Sequence, residues 1–97
     1  VARAVRDSSS LAGVHVLFIG ARERARTPDL IRAAQQAGVL VVTEWVGALR
    51  QGSVINFLTT PEGRVRFEID LEPAEKSGLR LSSRLLAVAA QVYNVRP

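Results

Sequence analysis

Gly52–Ala89, GSVINFLTTPEGRVRFEIDLEPAEKSGLRLSSRLLAVA, decides how the chain folds. Two runs rich in β-branched and aromatic residues, Val54–Thr60 and Arg64–Leu71, flank Pro61-Glu62-Gly63. Pro61 suits the second position of a type I turn over Thr60–Gly63, and Gly63 suits the left-handed bulge position that follows. That loop closes on Thr60 opposite Arg64. Counting outward pairs Phe57 with Phe67, Asn56 with Glu68 and Ile55 with Ile69. Aromatic and aliphatic side chains then share one face and polar ones the other, whereas a slip of one residue would mix them. Beyond the hairpin, Asp70 caps a short helix that tolerates Pro73 in its first turn and ends at Gly78. Ser82 caps a final helix expected over Ser83 to Val92, apolar on most sides and therefore packed.

Upstream, Val14–Ile19 (VHVLFI) is almost continuously apolar and bounded by glycines. It reads as a central strand covered on both faces. Thr27-Pro28-Asp29 marks a helix start, with Thr27 as cap and Pro28 in the first position. The apolar stripe of that helix is Leu30, Ile31, Ala34 and Ala37, and Gly38 ends it. Val39–Thr43 is a second buried strand, and Trp45–Arg50 a short helix or turn. Val1–Arg6 reads as a short strand, with a single capped turn after Asp7 or Ser8. The expected architecture is a single α/β domain over residues 1–97. It is a three-layer α/β/α-like sandwich on a mixed sheet, with the β-hairpin in the C-terminal half followed by two helices and right-handed parallel crossovers.

Composition narrows the function. The 97 residues are 47% hydrophobic and 23% charged, as in a globular domain, and no apolar run approaches the ~20 residues of a membrane span, so no direct membrane insertion is expected. The formal net charge is +4, but five acids interleave with the basic residues from Glu62 to Glu75, which argues against a nucleic-acid surface. Without cysteine there is neither a disulfide nor a thiolate metal site. His15 is the sole histidine, expected to be structural inside its strand; no metal and no cofactor are expected. Ser82-Ser83 lacks a nucleophile elbow and is explained by capping. Arg22, Arg24 and Arg26 follow Gly20 at alternate positions. They are either a solvated loop or an anion site at the C-terminal ends of the strands. Asn56 and Glu68 are either a satisfied cross-strand pair, Glu68 meeting Arg66 or Arg84, or a surface for a partner or ligand. Trp45 is expected in the core, the alternative being an aromatic contact with a partner or ligand.

Several words in this stretch resemble the YfiR/HmsC-like family: Ile55-Asn56-Phe57, Val65–Leu71 (VRFEIDL) and Gly78–Leu86 (GLRLSSRLL), with His15–Gly20 (HVLFIG) upstream. The likeness covers about Val14–Val92. It implies a YfiR-like domain whose N-terminal part is absent, with Val14 where many members carry cysteine. It further implies a non-enzymatic, periplasmic regulator of cyclic-di-GMP signalling. Such a protein restrains a membrane diguanylate cyclase by binding the cyclase's periplasmic sensor domain. Arg66, Glu68 and Arg84, with Asn56, are the candidate contact residues, and homodimerisation is left open. The alternative is an extracytoplasmic small-ligand sensor domain of a larger signalling protein, such as a histidine kinase or cyclase.

Overall fold

The computed structural model describes residues 14–93; the expected strand over Val1–Arg6 and the turn after it lie outside them. Five strands form one mixed sheet in the order β1-β2-β3-β4-β5: Val16–Ile19, Leu40–Thr43, Ile55–Thr59, Val65–Asp70 and Gln91–Tyr93. The first three run parallel, β4 is antiparallel to β3, and β5 is parallel to β4. Helix α1 (Thr27–Ala37) connects β1 to β2, and α2 (Leu71–Lys76) and α3 (Ser83–Val88) connect β4 to β5.

The hairpin has the register derived above, with Ile55, Asn56 and Phe57 opposite Ile69, Glu68 and Phe67. The Gly63 N–H donates to the Thr60 carbonyl at 2.9 Å and the Thr60 N–H to the Arg64 carbonyl at 2.7 Å, closing the turn and bulge. Gly63 sits at φ 81°, a region closed to most side-chain-bearing residues. The Phe57 and Phe67 rings meet at 5.9 Å and 54°, a tilted pair that stabilises by about 0.5–1.5 kcal/mol beyond its buried area.

Strand alternation divides the core into two clusters on opposite faces of the sheet. On one face Leu17, Ile19 and Val41 pack under Leu30, Ile31 and Ala34 of α1, joined by Trp45 and Ala48. On the other, Ile55 and Ile69 pack with Ala74 of α2, and Leu85 and Leu86 of α3 close over them. These are the helix–sheet–helix layers that the alternating pattern predicts, and Trp45 is a core residue.

Four local expectations are corrected. Among the described residues β1 is an edge strand, not a central one, and its second face is open: Val16 and Phe18 are each 55% exposed. His15 lies just before β1 and is exposed, with only its carbonyl engaged, by the Leu40 N–H at 3.0 Å. Thr27 does not cap α1. It is the first helical residue, fully buried, and its hydroxyl donates to the Glu23 carbonyl; Ala37, placed on the apolar stripe, is exposed. The last helix stops at Val88 rather than Val92. Ala89 turns extended at φ −67° and ψ 143°, the Ala90 N–H donates to the Phe67 carbonyl at 2.8 Å, and Gln91–Tyr93 continue as β5. The unpaired edge of β4 offers this segment a ladder in place of one more helical turn, and Val92 and Tyr93 suit a strand. The caps expected from Asp70 and Ser82 are present, accepting from the N–H groups of Glu72 and Leu85 at 3.1 Å each.

Candidate functional site

Asn56 is the centre of the polar structure. It sits on β3 facing the α1 side of the sheet and is completely buried. Its Oδ1 accepts from the Thr43 hydroxyl at 2.8 Å and from the Trp45 N–H at 3.1 Å. Its Nδ2 donates to the Trp45 carbonyl at 2.8 Å and to Glu68 Oε1 at 3.0 Å. A carboxamide offers two acceptor and two donor positions, and all four are used. Ser53, also fully buried, lies 2.7 Å from the Thr43 hydroxyl. With Thr43 donating to Asn56, Ser53 supplies the proton of that contact, giving a chain Ser53→Thr43→Asn56 that uses each proton once. Hydrogen bonds inside the fold stabilise by about 1 kcal/mol each, and the larger effect is the cost of leaving such buried groups unmade.

This cluster fastens the loop after β2. Asn56 grips Trp45 through both its N–H and its carbonyl, Trp45 fills the core, and the 3-10 turn Ala48–Gln51 follows. Gly52 ends that turn at φ 107°, where an added Cβ would stand 2.9 Å from Ile31 Cγ2. The loop forms one wall of an open groove of about 440 Å³, lined by Val46, Gly47, Leu49 and Arg50. Leu58 of β3, Glu68 and Asp70 of β4 and Tyr93 of β5 line the rest. Burial raises the Asp70 carboxyl above its ordinary value of 3.8, partly offset by the Glu72 N–H that it accepts.

The structure joins some of the candidate residues and separates others. Asn56 and Glu68 are together, and Arg66 stands on the same face of β4 two residues away. Arg84 belongs to α3, in the opposite layer, so it shares no surface with Glu68. Ion pairs among the described residues include Arg26–Glu23 and Lys76–Glu72; Glu68 takes Asn56 as its partner instead of Arg66 or Arg84. Arg22, Arg24 and Arg26 lie on a 3-10 helix, Ala21–Arg26, where alternate residues point in different directions rather than one. The N–H of Ala21, at the head of that helix, is taken by the Glu44 carboxylate at 3.1 Å, and Arg26 is paired with Glu23. The protein's own carboxylates thus engage two of the groups that an anion site would use, while Arg22 and Arg24 are exposed, as in a solvated loop.

Thr43 and Ser53 were missed from sequence. Each is a single hydroxyl in a buried run, and only its apolar neighbours signal that it is held inside. The groove was missed as well, because it needs β5 beside β4.

Layer order, sheet topology and the buried Asn56 cluster define an α/β sandwich domain with an open groove beside that cluster. The sequence profile of the YfiR/HmsC-like family matches residues 1–90, and the chain belongs to that family. The fold is similar to a crystal structure of a conserved domain protein from Vibrio cholerae O1 biovar El Tor, with TM-score 0.69 and 15% sequence identity. That match covers 88% of this chain and 40% of the other, so the chain spans less than half of its structural neighbour. No curated protein matches the chain.

Proposed function

We propose that the chain is a periplasmic regulatory binding domain that restrains a membrane diguanylate cyclase, and with it cyclic-di-GMP output, by contact with the cyclase's sensor domain. Family membership over residues 1–90 is the observation that carries this reading. The geometry is compatible with a non-enzymatic role, since the Asn56 cluster uses its hydrogen bonds to hold the fold. The mechanism is a population shift: the domain binds the inactive state of the sensor more tightly than the active one and draws the equilibrium toward it.

Capture of purified periplasmic sensor domains of diguanylate cyclases on the immobilised chain tests the reading. Saturable capture of one sensor, with lowered cyclic-di-GMP when both proteins are expressed, is the expected result. No capture, with cyclic-di-GMP unaffected, overturns it. Arg66→Glu and Arg84→Glu then locate the contact, because they lie in opposite layers and only one of them should abolish capture. Sedimentation of the free chain and of the complex settles whether a homodimer takes part.

A further inference from the structure

The groove between the Trp45–Gln51 loop and strands β4 and β5 is a feature that the partner reading does not use. Its volume, about 440 Å³, lies in the range of small-ligand sites, roughly 300–1,000 Å³. Leu49 and Leu58 give it apolar surface, Tyr93 an aromatic ring, and Glu68 and Asp70 two carboxylates on one side. We propose that this groove binds a small amphipathic amine, with its ammonium between Glu68 and Asp70 and its apolar body over Leu49 and Leu58.

Three further observations support that choice. Glu68 is held in place before any ligand arrives: Oε1 accepts from the fully buried Asn56, which is itself locked to both backbone groups of Trp45. Its other oxygen has no partner among the described residues. Neither Glu68 nor Asp70 is in an ion pair there, and the two carboxylates outnumber Arg50, the cation of the lining, so the lining stays net negative within a chain of net charge +4. Finally, residues two apart on a strand stand about 7 Å apart on one face, a spacing that two carboxylate side chains can close around one ammonium. Tyr93 lies opposite Asp70 in the β4–β5 register, where its ring can face the same cation.

The test is an amide NMR titration of the full chain with phenethylamine, its neutral counterpart phenethyl alcohol, phenylpropionate and the peptide Leu-Lys-Leu. Phenethylamine should shift the amides of Leu49, Arg50, Leu58, Glu68 and Tyr93 saturably, and bind at least about tenfold tighter than the alcohol, a difference of about 1.4 kcal/mol. The double variant Glu68→Gln, Asp70→Asn keeps an acceptor for Asn56 and a good helix cap, and should bring amine and alcohol to equal affinity. An unchanged Trp45 indole signal shows that it is folded; if it is not, Glu68→Gln alone reads the same ratio. Equal binding of amine and alcohol to the native chain, tighter binding of the acid, shifts elsewhere, or no saturation overturns the proposal. Markedly tighter binding of the peptide also overturns it, in favour of a protein segment.

Discussion

One face of the sheet is closed over β1 and β2 and open over β4 and β5. In the closed half Leu17, Ile19 and Val41 lie under α1 and Trp45, all nearly inaccessible to solvent. In the open half Glu68, Asp70 and Tyr93 line a groove. Asn56 stands at the boundary with its amide group joined to both: Oδ1 reaches the closed half and Nδ2 reaches Glu68 as well as Trp45. The difference lies in what the polar groups are used for. On the closed side they are consumed in holding backbone and loop. On the open side the carboxylates keep oxygens that the described fold does not require.

If that division is right, substitutions should cost stability according to the side on which they fall. Asn56→Leu should be the most damaging. It strands the Thr43 hydroxyl and both backbone groups of Trp45, and urea denaturation should show a loss of about 4 kcal/mol or no folded chain. Ile19→Ala, at 2% exposure, should cost about 3 kcal/mol by the same measurement. Gly52→Ala tests the loop that divides the halves. Its φ of 107° and the 2.9 Å approach to Ile31 predict a loss of about 2 kcal/mol. Glu68→Gln, on the open side, keeps the acceptor for Asn56 and should change stability by no more than about 0.5 kcal/mol. A large loss there would break the comparison.

The smallest expected effect is a pH dependence. The Asp70 carboxyl is raised in the folded state, so the folded chain holds its proton more tightly than the unfolded chain does. Its contribution is most favourable below 3.8 and declines as pH rises through the folded value, the reverse of a carboxylate whose value is depressed. Asp70→Asn retains a cap and should remove that decline from the stability profile measured by denaturation between acid and neutral pH.

The hairpin was legible because its determinants are local: the Pro-Glu-Gly turn sets the register, and alternation sets the faces. The caps at Asp70 and Ser82 were legible for the same reason, being side-chain contacts within two or three residues. The Asn56–Glu68 pair followed directly from the register. What Asn56 does with its other three hydrogen bonds did not, since Trp45 and Thr43 are brought to it by the parallel pairing of β2 with β3. Val14–Ile19 was misread as covered on both faces because a continuously apolar run carries no sign of which face lacks a layer: Val16 and Phe18 are exposed. Val88–Tyr93 was misread because a small apolar tail satisfies a helical period, and only the free edge of β4 turns it into a strand.

The amino-acid sequence by itself therefore determined the α/β class, the hairpin with its register, the caps at Asp70 and Ser82 and the family words, because each depends on neighbours close in the chain. The tertiary structure alone decided which face of β1 is left open, which carboxylate occupies the head of the Ala21–Arg26 turn, and where the groove opens. Those depend on groups far apart in sequence whose meeting is set by how the layers pack and which backbone edges remain unpaired.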